Sequence, residues 1–206
     1  MVGRGNCESP QNHLHDPAEQ VKDWETAWRY LKEGNHRYIN SQTISRKISP
    51  KVRSRLNEGQ KPFAVVLTCA DSRVSPEIFF DQRQGDIFVI RNAGHIVDDT
   101  VLGSIEYAIK TLGIPLVVVV GHSCCGAVIG AVSPDVYTGY MGQMIETIRA
   151  AIENKRDFDS AVHANIRSAV QRIQACETLR QTGVTVMGAY FDIASGKVSW
   201  ASPSVS

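Results

Sequence analysis

At 206 residues the chain is long enough for one sizeable domain, and its 43% hydrophobic and 21% charged fractions are ordinary for a globular protein. Lysine and arginine total 22 against 21 aspartate and glutamate, a formal net charge of +1. That balance supplies no electrostatic footprint for nucleic acid or an anionic membrane, and no apolar run approaches the ~20 residues of a membrane span.

Residues 1–22 read as a flexible tail, and 23–206 as a single domain that opens with a helical arm over 23–59. The N-terminus, MVGRGNCESPQNHLHDP, is polar and lacks the apolar core of a secretory signal, so the expected location is cytoplasmic. Cys7, with His13 and His15 nearby, reads as incidental to function. In DWETAWRYLKEGNHRYI, Trp24, Trp28 and Leu31 fall at helical spacing. Two tryptophans on one stripe need a surface to pack on, either the protein's own core or a second subunit. The short basic spot Arg46-Lys47 reads as solvated loop charge, and PKVRSRLNEG as a second short helix ending at Gly59.

The pattern then changes. FAVVLT (63–68), DIFVIR (86–91), LVVVV (116–120) and VTVMGAYFD (184–192) are short, nearly continuous apolar runs. Such runs read as strands buried on both faces, the mark of a parallel sheet. Helical patterns separate them: PEIFFD, DTVLGSIEYAIKTLG, YMGQMIETIRAAI and SAVHANIRSAVQRIQACETLRQTG. The predicted fold is α/β, a mostly parallel four-stranded sheet flanked by helices, with KVSWA after Ser195-Gly196 as an extra edge strand.

Five cysteines, an odd number, argue against a closed disulfide framework and point toward metal or catalysis. Cys176, inside AVQRIQACETLR, reads as a buried small hydrophobe. The other cluster is more informative. Cys69 directly follows the first strand, and His122 and Cys125 directly follow the third. In open α/β sheets ligands gather beyond the carboxyl ends of the strands, so residues distant in sequence converge there. Two thiolates and one imidazole suit one Zn2+ per chain, with a fourth position left open for water. Cys125 opens a helix at Gly126, where the helix N-terminus favours a thiolate. Cys124 competes with Cys125 for the metal; neighbouring side chains on a helix diverge by roughly 100°, so one of the two faces it, and spacing does not choose between them. In CADSRVSPE, Asp71 and Arg73 are placed to pair as carboxylate and guanidinium, and Ser75-Pro76 opens a helix.

CADSRV, GDIFVIRNAG, SIEYAIKTLG and GHSCCGA, in this order and spacing, resemble the β-class carbonic anhydrases, and the resemblance runs from about Trp24 to the last strands. It implies reversible hydration of carbon dioxide to bicarbonate, with Cys125 rather than Cys124 as the third ligand beside Cys69 and His122. By the same resemblance Asp71 would accept a hydrogen bond from a zinc-bound hydroxide, and Arg73 would hold Asp71 off the metal. Gln60 would donate to a substrate oxygen. Phe88, Ala93, Tyr107 and Gly126 would complete the substrate site, with Tyr107 reaching across from a partner. The family implies a homodimer or a dimer of dimers, embraced by the N-terminal helix. Val66 stands where the bicarbonate-inhibited subgroup has tryptophan, which favours the accessible-site subgroup. His95 stands where asparagine is common and reads as a hydrogen-bonded loop histidine rather than a proton shuttle. Hydrolysis of carbonyl sulfide or carbon disulfide on the same scaffold, or a non-catalytic zinc-binding assembly subunit, are the competing readings.

Overall fold

The structure, a computed structural model, describes residues 19–44, 48–153, 155 and 157–201. The tail up to residue 18, with Cys7, His13 and His15, and the Arg46-Lys47 spot lie outside the described residues. The last residues assigned to the tail are docked. Val21 is buried, and the Gln20 amide donates to the Leu112 carbonyl at 3.2 Å.

Five strands form one sheet: β1 (Ala64–Cys69), β2 (Ile87–Asn92), β3 (Leu116–His122), β4 (Thr185–Phe191) and β5 (Val198–Trp200). Their spatial order is β2-β1-β3-β4-β5, with the first four parallel and β5 antiparallel to β4. The four parallel strands and the edge hairpin thus match the sequence pattern. Every residue of β1 and β3 is buried, as strands covered on both faces require.

Alternation along β1 divides the core. Val65, Leu67 and Cys69 face one layer, packed by α4 (Asp99–Leu112), α5 (Gly126–Val132), α6 (Gly139–Ile152) and α7 (Phe158–Gln174). Ala64 and Val66 face the other, packed by α1 (Trp24–Ile39) and α3 (Pro76–Phe79). A further helix, α2 (Pro50–Glu58), caps on Ser49 and carries no buried residue. After β1 the chain goes to β2 on one side, and β3 then returns to the other side. The strand order therefore reverses between β1 and β3, whose carboxyl ends carry Cys69 and His122.

The tryptophan helix packs on its own sheet. Ala27 and Leu31 are fully buried, and Trp28 meets Trp200 edge-on at 6.0 Å. Arg37 of α1 donates to Asp81 at 2.6 Å in a buried pair, and Asn35 bonds Phe79, Gly196 and Val198 backbone. The approach of α1 to the end of α3 is so close that a Cβ on Gly34 would lie 1.7 Å from the Phe80 carbonyl oxygen.

Two expectations need correction. The long helical pattern after Ser160 breaks at Ala175–Cys176, where Cys176 takes an extended conformation and starts α8 (Glu177–Arg180). A continuous helix would carry Leu179 about 240° round from the buried Ile173, at roughly 100° per residue. The break re-aims Leu179 into the core and leaves Cys176 half-buried rather than enclosed. Ser75 is the N-cap of α3 and Pro76 lies in its first turn, as the sequence suggested, although the Ser75 side chain makes no capping hydrogen bond.

Candidate metal centre

Cys69, His122 and Cys125 are all buried, and their potential ligand atoms lie within 4.8 Å of one another. Each is placed by a different device. Cys69 ends β1, pinned on its far side by Arg91, whose Nε donates to the Cys69 carbonyl at 3.0 Å and whose Nη2 donates to the Asp71 carbonyl at 2.7 Å. His122 ends β3, and the next residue, Ser123, is held to β4 because its N–H donates to Phe191 and its hydroxyl accepts from Ile193. Cys125 is the N-cap of α5.

The imidazole is pre-set. His122 Nδ1 lies 2.9 Å from the Ser123 carbonyl, which can only accept, so that nitrogen carries the proton. Nε2 is then an unprotonated lone pair, buried and without a partner among the described residues. A buried acceptor with nothing to accept is costly unless a ligand takes it up. The two sulfurs stand 4.0 Å apart. Tetrahedral zinc with Zn–S of about 2.3 Å sets its sulfurs about 3.8 Å apart, so the donor set fits that ion. The two thiols are in hydrogen-bond contact, and either one can donate to the other. Cys69 is pushed far down, first by its hydrogen-bond contact with Cys125 and further by the Gly94 and Asp71 backbone, against the cost of burial. Cys125 is correspondingly pushed up, by the same contact and by burial. A divalent cation would displace the proton it holds.

Backbone conformation separates the adjacent cysteines. Cys124 sits at φ 54°, in the left-handed region, and is exposed, whereas Cys125 is fully buried facing Cys69. The Cys124 carbonyl is used instead, accepting from Arg73 Nη2 at 3.2 Å. Arg73 also grips Asp71. Its Nε and backbone N–H donate to Oδ1 at 3.0 and 2.9 Å, and its Nη2 donates to Oδ2 at 2.7 Å. That grip, more than the modest opposing effect of burial, holds the Asp71 carboxyl well below the usual carboxylate range.

Ala93 and Gly126 flank the same spot. Ala93 precedes Gly94, whose N–H donates to Cys69 Sγ at 3.3 Å, and a Cβ on Gly126 would meet nothing within 4 Å. Gln60, Phe88 and Tyr107 are elsewhere. Phe88 pairs with Val65, four residues before Cys69, so it lies about 13 Å along the strand from the sulfur at ~3.3 Å per residue. Gln60 and Phe88 line one groove of about 540 Å³ at the β2 edge, and Tyr107 stands 6.4 Å from the Phe88 ring. One chain does not bring these three to the sulfurs. His95 is a fully buried loop histidine beside Asn165 rather than an exposed shuttle. Sequence reasoning missed Arg91, Ser123 and Asn165; Arg91, at least, stood inside the quoted GDIFVIRNAG.

Fold and site together define a doubly wound α/β protein with a buried Cys2His triad, able to hold a metal ion, at its topological switch point. A family model described as carbonic anhydrase matches residues 64–198. A carbonic anhydrase of Mycolicibacterium smegmatis is 37% identical over 84% of this chain and 90% of its own length. Carbonic anhydrase 2 of Mycobacterium tuberculosis is 37% identical over 83% of this chain and 89% of its own. Among solved structures, a β-carbonic anhydrase of Coccomyxa superposes with a TM-score of 0.68 at 24% identity, over 78% of this chain and 89% of that one. One from Sordaria macrospora, described as tetrameric, does so with 0.68 at 23%, over 85% and 96%. The chain belongs to the β-class carbonic anhydrase family and is an enzyme of that class.

Proposed function

We propose that this chain hydrates carbon dioxide reversibly to bicarbonate and a proton at the Cys69–His122–Cys125 centre, holding one Zn2+. The observation that carries the reading is the lone, buried His122 Nε2 facing two thiols, with an arginine-clamped carboxylate beside it. Bound zinc supplies a Lewis acid that lowers the pKa of water and so makes hydroxide available near neutrality.

The protein's own groups do the rest. Asp71 stays ionised at any working pH and is therefore acceptor-only. It can take a hydrogen bond from a hydroxide and turn that oxygen's lone pair toward an incoming carbon, but it cannot itself donate. Arg73 and Arg91 fix the carboxylate's position from two sides, through the side chain and through the Asp71 carbonyl. The open space at Gly126 lets a small linear molecule approach. Because Gln60, Phe88 and Tyr107 lie at the β2 edge, we read them as lent to the site of a second copy in a homodimer or dimer of dimers. The partly exposed apolar side chains of Phe88, Val89, Ile90 and Tyr107 support that reading, since a partner would cover them. No described helix is long and apolar enough to cross a membrane, and the four described cysteines are free, in keeping with a reducing compartment such as the cytoplasm.

The test is zinc analysis with stopped-flow hydration on the purified protein, run beside carbonyl sulfide hydrolysis. One zinc per chain with rapid hydration supports the proposal. Zinc without hydration would point to an assembly role, and preferential sulfide release would replace carbon dioxide as substrate.

A further inference from the structure

The turn after β2 is built around a single contact to the metal centre, the Gly94 N–H donated to Cys69 Sγ at 3.3 Å. Its two ends are tied by Asn92, whose Oδ1 accepts from the Ile96 N–H and whose Nδ2 donates to the Ile96 carbonyl, both at 2.8 Å. Between those ends Gly94 and His95 are both left-handed, at φ 72° and 45°. That conformation is costly for histidine and persists only where the surroundings over-determine it. One surrounding group is Ile148 of α6, which leaves no room for a side chain: a Cβ on Gly94 would lie 2.6 Å from its Cδ1.

The other is Asn165 of α7. Its Nδ2 donates to the Gly94 carbonyl at 2.9 Å and lies 3.0 Å from His95 Nε2. The carbonyl can only accept, so the amide nitrogen faces both groups, and its two hydrogens serve two acceptors. His95 is thereby held as the tautomer protonated on Nδ1. Both residues are buried. Asn165 is itself fixed relative to the third strand. Its neighbour Ile166 seats on Gly121, where a Cβ would lie 2.7 Å from Ile166 side-chain carbons, and Gly121 immediately precedes His122.

We infer that Asn165 is a positioning residue of the metal centre: through the Gly94–His95 turn it aims the Gly94 N–H at the Cys69 sulfur and couples the ligand-bearing ends of β1 and β3. The inference rests on the zinc reading above. An N–H bond to a thiolate fixes the sulfur's lone pairs and withdraws electron density from it. Groups that orient metal ligands in this way typically govern metal affinity by about 10- to 100-fold.

The experiment uses Asn165→Leu, similar in size and without a donor, against Ile173→Ala, a core truncation two turns along the same helix. Zinc affinity is measured by chelator competition, and the sulfur-to-metal charge-transfer band is recorded after cobalt substitution. Asn165→Leu should bind zinc about 10- to 100-fold more weakly. Its cobalt band should move to lower energy, because the sulfur has become the richer donor. Ile173→Ala should lose thermal stability and leave the band in place. An unmoved band with unchanged affinity in Asn165→Leu overturns the inference alone; wild-type protein that takes up neither zinc nor cobalt overturns the zinc reading and this one with it. Should Asn165→Leu fail to fold, wild-type protein loaded with NMR-active cadmium decides. Scalar coupling between the Gly94 amide proton and the metal, across the Cys69 sulfur, is expected, and its absence overturns the inference.

Discussion

His95 makes a quantitative prediction because burial is the largest influence on its charge. The side chain is fully enclosed, and that burial, against an opposing pull from Cys69, brings its pKa down to about 4 from an ordinary 6.5. The folded value is below the unfolded one, so between those two pH values the unfolded chain holds more protons. Stability contributed by neutral His95 is therefore complete above about pH 6.5 and is lost as pH falls toward about 4. At 1.36 kcal/mol per pH unit, the full loss is about 3 kcal/mol. The perturbation is His95→Asn, which does not titrate and tolerates the left-handed backbone at φ 45° better than most residues. Urea unfolding of both proteins from neutrality down to mildly acid pH is the assay. Protonation of the zinc ligands weakens both alike and cancels in the difference. The wild-type unfolding free energy should fall relative to that of the variant by most of those ~3 kcal/mol. Parallel curves would refute the reasoning, since they would mean that His95 charges without cost where it sits.

Two further substitutions separate chemistry from packing. Asp71→Asn should retain zinc and lose about 10²- to 10⁴-fold in hydration, because the amide turns a donor toward Arg73 Nη2 or toward the hydroxide; full turnover in stopped-flow would sink the orienting role. Gly34→Ala should cost about 3 kcal/mol or more, because the new methyl meets Phe80 backbone at 1.7 Å and neither α1 nor α3 can yield without parting Asn35 from its three backbone partners. A thermal scan in which that variant melts with the wild type would show that the two helices are not seated as described.

The parts of this protein that could be read in advance are those where one local rule decides the outcome. A strand covered on both faces has to be nearly continuous in apolar residues, and β1, β3 and most of β4 are, up to Thr68 and His122 near the carboxyl ends of the first two; the half-exposed β2 carries Arg91 and Asn92 at its end and was still legible because its neighbours were so plain. Metal ligands are legible for a related reason: thiols and imidazoles at two strand ends have few other uses there. Asn165 obeys no such rule. It falls on the buried stripe of an amphipathic helix, among Ala161, Val162, Ile166 and Ala169, where an asparagine looks like a fault in the pattern until the turn it holds is seen. The same is true of Cys124 and Cys125. Their identity and spacing are equivalent, and what divides them is a left-handed φ at the first, which swings one thiol into solvent and the next into the core. Gln60, Phe88 and Tyr107 belong to a third class, because their own chain leaves them at the β2 edge away from the two sulfurs, and only the second copy proposed above would give them a site to serve. Periodicity places ligands and core because each answers to its own neighbours. The groups that orient those ligands answer to a turn or a tautomer, which only three-dimensional placement can supply.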